Sequence, residues 1–282
     1  MRPSLPRRGL LAAAAALAAP RVLARPLDEA RDSGWLRIAL YEDYAPFSAV
    51  EAGVPRGIDA DLGTRIAQEL GLAPRWLTRQ AGESVDDDLR LNVWRGDLTG
   101  SGTADLMLHV PLDRELARRN DQVAIFGGYL RHQLALAYEE ARTGPEPGFE
   151  VFERLPIGVE TDTNSDFYLL SAQGGRVRAN VRHYLPFEAA MEALRGGEVA
   201  AVMAQRGQLE GHLRAPGDDR FRLMVPRLPA VFGREWTVGA AVKADSRDLG
   251  YAIGDVLDAL RESGEIAAIC RRHGVTWLAP QG

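Results

Sequence analysis

Trp35-Leu36-Arg37-Ile38-Ala39-Leu40-Tyr41-Glu42-Asp43-Tyr44-Ala45-Pro46-Phe47, followed by Gly57-Ile58-Asp59-Ala60-Asp61-Leu62, is the stretch whose reading decides the fold. Residues 35–40 form a short apolar strand, and Pro46 ends regular structure in the loop behind it. A helix then starts at Gly57-Ile58-Asp59, because Ile58, Leu62, Ile66, Ala67 and Leu70 share one face before Gly71 stops it. Ala73-Pro74-Arg75-Trp76-Leu77 is the next strand. Strand, helix, strand is a βαβ unit, so the sheet is parallel with a right-handed crossover.

Working outward, residues 86–95 read as a helix with Leu89, Val93 and Trp94 inward, and the glycine-rich segment 96–103 reads as a loop. The strand 104–108 delivers His109-Val110-Pro111 to its carboxyl end, the end at which ligands lie in parallel sheets. A short basic helix at 114–119 leads to a strand and turn at 123–129 and a separate strand at 134–138. Thr143-Gly144-Pro145-Glu146-Pro147-Gly148 is linker-like, and the βα pattern then begins again. Its parts are a strand at 155–160, a helix started by Asp162-Thr163-Asn164-Ser165, an amphipathic helix at 187–194, a strand at 199–204 and a helix to Leu213. A strand at 236–242 and helices at 249–263 and up to His273 follow. Two α/β lobes with a cleft between them are expected.

The first residues point to export. Arg2, Arg7 and Arg8 precede a short apolar run to Ala19, and small residues at Val22 and Ala24 place cleavage after Ala24. Arg7-Arg8 before Gly9-Leu10-Leu11 also resembles a twin-arginine signal. No later run is apolar and long enough to span a bilayer. What remains of the 282 residues is more than one core usually serves. The net charge of −5 and the lack of a basic run exclude nucleic acid as a partner. Cys270 is the only cysteine, and the five histidines, His109, His132, His183, His212 and His273, show no metal-ligand spacing, so no cofactor or metal is expected. Glu83, Asp86, Asp87 and Asp88 could hold a hard cation or simply be an acidic helix start. Gly100-Ser101-Gly102-Thr103 lacks the lysine of a phosphate loop.

The segments 36–47, 57–62, 119–129, 157–159, 189–202, 238–242 and 263–266, in that order, resemble the family 3 bacterial extracellular solute-binding proteins, the periplasmic receptors of amino-acid-type ABC transporters. The resemblance implies a type II periplasmic binding-protein fold: two parallel-type sheets with flanking helices, joined by a two-strand hinge at about 134–138 and 230–236. Residues 25–135 and 233–282 would make lobe one and 136–232 lobe two. It also implies closure on a small polar, carboxylate-bearing ligand for transport, with an ABC permease as partner.

Carried over residue by residue, Tyr44 and Phe47 would wall the ligand, with Tyr41, Glu42 and Tyr129 beside them, although Phe47 suits a core equally well. Arg119, or its neighbour Arg118, would grip a carboxylate. Asp162, Thr163, Asn164 and Ser165 would cap a helix and bind an anion together. The position that pairs the ligand's ammonium is the neutral Gln205, and His109 stands where the family has hydroxyls. The ligand is therefore expected not to be a standard α-amino acid. Two alternatives share the resemblance: an accessory protein of a periplasmic quinoprotein alcohol dehydrogenase, and a cyclohexadienyl-dehydratase-like enzyme using Glu42, Glu160 or His109 as general acid. A non-enzymatic binder is the expected role.

Overall fold

A computed structural model describes residues 25–98, 100–229 and 235–281; the expected leader and residues 230–234 of the second hinge segment lie outside the described residues. Lobe one comprises α1 (Leu27–Ser33), β1 (Trp35–Tyr41), β2 (Asp43–Tyr44), β3 (Ser48–Glu51), β4 (Val54–Arg56), α2 (Ile58–Glu69), β5 (Ala73–Arg79), α3 (Val85–Leu89), β6 (Leu106–Pro111), α4 (Arg114–Arg119) and the first half of β7 (Val123–Glu139). Lobe two takes the second half of β7 with α5 (Glu140–Thr143), β8 (Ile157–Glu160), α6 (Asn164–Ser171), β9 (Val181–Tyr184), α7 (Phe187–Arg195), β10 (Ala201–Gln205), α8 (Arg206–His212) and β11 (Phe221–Met224). The chain then returns to lobe one as β12 (Glu235–Lys243), α9 (Arg247–Glu262) and α10 (Glu265–Arg272). No described helix is long and apolar enough to cross a membrane.

The strands run β5-β1-β6-β12-β7-β10-β8-β9, with β11 also on β7. β5, β1 and β6 are parallel, as the βαβ reading requires, and so are β10, β8 and β9. Each lobe's sheet is covered on both faces. In lobe one Leu36, Ile38 and Leu40 pack with Ile58, Leu62 and Ile66 of α2, while Ala39 faces Leu77, Met107 and Val110 on the other side. In lobe two Leu134, Leu136 and Tyr138 feed one core and Ala135 and Ala137 the other, as the two-residue period of a strand dictates.

β7 corrects the sequence reading. The expected strand and turn at 123–129 and the separate strand at 134–138 are one strand of 17 residues. The glycines that look like a turn are absorbed in a bulge: Val238 faces Leu130 while Ala240 faces Phe126, so residues 127–129 bow out opposite Gly239 without ending the pairing. The strand changes partners between two adjacent residues, since Gln133 lies opposite Glu235 in lobe one and Leu134 opposite Gln205 in lobe two. The helix expected at 86–95 is also different. It is α3 followed by a π-helical turn, Arg90–Trp94, that turns Asn92 and Val93 inward. The loop expected after β1 forms the small antiparallel sheet β2-β3-β4.

Candidate functional site

The carboxyl end of β6, the middle of β7 and the start of α2 meet under the cleft. Gly57 makes the approach possible: its φ is 112°, and a Cβ there would lie 2.4 Å from the Phe47 carbonyl oxygen. The next residues hydrogen-bond to that loop, Ile58 N to Pro46 O and Asp59 N to Phe47 O at 3.0 and 2.8 Å. This fixes Asp59 in the first turn of α2, where the helix dipole favours a carboxylate. Asp59 is fully buried and both its oxygens are used: Oδ1 accepts from the Tyr129 hydroxyl at 2.6 Å and Oδ2 faces His109 Nδ1 at 2.8 Å. The Tyr129 hydroxyl in turn accepts from the His109 backbone N–H at 2.9 Å. Burial, reinforced by Asp59, pushes the Tyr129 hydroxyl well above its usual range.

These bonds hold His109 in a left-handed conformation, φ 64°, that a non-glycine side chain seldom adopts. The bulge in β6 beside Gly239 supplies the extra residue that lets the chain turn there. His109 Nδ1 faces Asp59, and His109 Nε2 lies 2.9 Å from His132 Nε2, so one of these two ring nitrogens donates to the other. Burial first, and then His109, lower the His132 pKa well below the ordinary imidazole value. Phe47 lies 4.8 Å from both imidazoles, Tyr44 5.0 Å from His109 and Trp236 5.4 Å from His132, measured between ring centres.

Above this buried group the two lobes touch. Gln205, at the end of β10, hydrogen-bonds through its side-chain N–H to the Tyr44 hydroxyl, and burial raises that hydroxyl's pKa. Phe47 rests on Gly207 and Pro46 on Gly211, where added Cβ atoms would stand 2.7 and 2.5 Å from the rings. Arg206 reaches Gln133 at the crossover (3.2 Å) and Glu210 (2.7 Å), and Glu210 accepts from the backbone of Thr276 (2.7 Å). The cavity beside Phe47, His132, Arg206 and Gly207 measures about 10 Å³. That is room for about one water, against the ~300–1,000 Å³ of ordinary ligand pockets. Glu160, at the end of β8, is held above the usual carboxyl range by burial and then by Glu188, while the Phe187 backbone and Gln208 donate to it.

The expected site residues fall into separate groups. Tyr44, Phe47, His109, Tyr129 and Gln205 come together; Tyr41 turns aside to bond Asp88 at 2.8 Å, its ring centre 6.0 Å from that of Tyr44. Glu42 is held through its backbone, by Arg79 and Val50. Phe47 combines both of its readings, being fully buried and yet the surface on which lobe two rests. Arg119 is outside the group: its side chain is 57% exposed and pairs with Asp86 at 3.2 Å, because α4 carries it to the surface beside α3. Arg118 pairs with Glu115 and is likewise exposed. At α6, Thr163 caps the helix, and Asp166 accepts from Asp162 N at 3.1 Å and meets His183 at 2.9 Å, so the chain's own carboxylate occupies the helix start expected to receive an anion. Asn164 is exposed and Ser165 buried. The acidic cluster is a helix start: Ser84 caps Asp87, Asp86 meets Arg119 and Asn120, and Asp88 binds Tyr41 and Gly82 N. Asp59, His132, Trp236 and Arg206 were not singled out by sequence; Asp59 was visible only as a helix start, and nothing around the other three marks them.

Comparison with solved structures decides the architecture. An ancestral cationic amino acid solute-binding protein matches 88% of this chain and 99% of its own with a TM-score of 0.70 at 17% identity. The chain has the two-lobed periplasmic binding-protein fold. A mutant arginine-binding protein from T. maritima matches this binding-protein fold with a TM-score of 0.59 at 22% identity over 87% of this chain and 97% of that one. The L-cysteine solute receptor of Neisseria gonorrhoeae gives 0.61 at 16%, over 88% and 93%. No family model and no curated protein matches the sequence. In this binding protein fold the contacts across the cleft are made by the chain's own aromatic, amide and glycine positions.

Proposed function

We propose that this chain is an exported periplasmic solute-binding protein, its leader cleaved near Ala24, that opens and closes on a small polar ligand and delivers it to an ABC transporter permease. The observation that carries this reading is the Tyr44–Gln205 contact, a hydroxyl and an amide from opposite lobes meeting where a binding crevice lies in α/β sheets. Two features support it. Gln205 Oε1 is buried without a hydrogen-bond partner among the described residues, so a ligand donor would satisfy it. The solved structures with this fold include an arginine-binding protein and a solute receptor for L-cysteine.

The ligand is not a standard α-amino acid, because a neutral amide replaces the ammonium's counter-charge and Arg119 stands at the surface with Asp86. A ligand carboxylate would be met instead by Arg206, beside the crossover. Entry requires Pro46 and Phe47 to lift from Gly211 and Gly207, a hinge opening at β7 and β12. The test is a thermal-shift titration of ligand-stripped protein with amino acids, small mono- and dicarboxylates, prephenate and quinone cofactors. A saturable shift that Arg206→Ala abolishes is expected; no shift with any compound would sink the reading.

The filled cleft favours one second reading. Lobes that pack on each other around about 10 Å³ need no ligand to close, which suits an accessory protein of a quinoprotein alcohol dehydrogenase system working through its surface. Co-elution with such a dehydrogenase, combined with a flat thermal-shift screen, would favour it over the receptor.

A further inference from the structure

Asp105 stands just before β6 with its side chain fully buried, and residue 25 meets it with both its side chain and its backbone. The Arg25 guanidinium donates from Nη2 to Oδ2 at 2.8 Å and from Nε to Oδ1 at 3.2 Å, and the Arg25 backbone nitrogen lies 3.3 Å from Oδ1. The Arg37 backbone N–H fills the remaining place on Oδ2 at 2.9 Å. Arg25 is fixed from all sides: its guanidinium stacks 3.7 Å over Trp35, and it donates to Ser33 Oγ (2.7 Å) and to the Trp35 carbonyl (3.0 Å). Residue 25 is also the first residue after the small-residue site Val22-Leu23-Ala24.

We propose that the Ala24–Arg25 bond is the processing site and that its hydrolysis completes the fold, by creating an α-ammonium for which Asp105 is the receptor. A signal peptidase consumes one water; the leader leaves with the Ala24 carboxylate, and the Arg25 amine takes up a proton. A neutral peptide N–H beside a buried carboxylate becomes a charged group with three donors, and a hydrogen bond of this charge-assisted kind is about twice as strong. Asp105 is therefore the terminal receptor of the mature chain, and the precursor is the less stable form. This rests on the export reading above.

The charged groups facing the site are the Arg25, Arg37 and Arg75 side chains, the Arg75 guanidinium lying 4.4 Å from the centre of the Trp35 ring, and Asp105 itself; Asp248 holds Leu27 N at 2.9 Å nearby. Carboxylates and guanidinia ordinarily titrate well away from pH 8, whereas a free α-amine titrates near it. Pairing raises the folded pKa of that amine. Its contribution is thus complete below about pH 8 and is lost as pH rises through the folded value.

The test has two stages. The full chain with its own leader is expressed, recovered from the periplasm and its N-terminus read by intact mass, with Arg25 expected. Urea unfolding is then compared, from pH 7 to 10.5, between the chain starting at Arg25 and one that retains Ala24, which displaces the amine. The folding constant should be roughly tenfold larger for the Arg25 chain at pH 7, with the two curves converging at high pH, and Asp105→Asn should remove the difference. Absence of any cleavage would overturn the export reading together with this one. Cleavage elsewhere, or identical pH profiles for the two chains, would overturn this inference alone.

Discussion

At the residue scale Asp59 serves both Tyr129 and His109 from inside the core. Replacing one oxygen by an amide leaves an acceptor short in a fully buried site, so Asp59→Asn should lower stability by about 1–3 kcal/mol in urea unfolding. His132 gives a second prediction with a definite sign. Burial and His109 lower its folded pKa, whereas the unfolded chain binds a proton near pH 6.5. Stability should therefore hold above that pH and fall below it, by up to about 1 kcal/mol per pH unit. Thermal melts from pH 5 to 8 read this directly, and His132→Phe should flatten the acid limb. Arg119→Ala, by contrast, should leave ligand affinity unchanged in the titration that finds a ligand, since its partner is Asp86 at the surface. Sequence could nominate Tyr44, Phe47 and Gln205 through the family resemblance, and His109 because it follows a strand read from the sequence. It could not nominate His132, whose role depends on a partner 23 positions away.

At the element scale, α8 is the contact surface of lobe two. Gly207 and Gly211 are one helical turn apart and so share a face, and Phe47 and Pro46 of lobe one sit against them. Gly211→Val places a branched side chain where a single Cβ already stands 2.5 Å from Pro46. The expected result is a larger radius of gyration by small-angle X-ray scattering, with each lobe still folded by circular dichroism. An unchanged radius would mean that the ring moves aside and that α8 does not hold the lobes together. The same scale explains β7: local glycines predicted a turn, but an opposing strand was available to bridge them, and pairing with β12 overrode the local preference.

At the scale of the whole molecule, closure is an interface made of the chain itself, with β7 crossing between the lobes and hydrogen bonds from Gln205 to Tyr44, Arg206 to Gln133 and the C-terminal Thr276 to Glu210. Opening must break these contacts, so a ligand spends part of its binding energy on the conformational change, and weakening them should tighten apparent affinity. Gly207→Ala, which crowds Phe47, should lower the apparent Kd for whichever compound shifts the melting curve. The sequence by itself determined the βαβ order and the two α/β lobes, because hydrophobic periodicity is a local property that survives without coordinates; which lobe the chain's last elements join was open on periodicity and came only from the family resemblance. The tertiary structure alone decided that β7 is continuous, that Arg119 faces away, and that Asp59, His109 and His132 form one buried chain. Those outcomes depend on which residues distant in sequence come within about 3 Å of each other, and hydrogen-bond distance is set by packing, not by spacing along the chain.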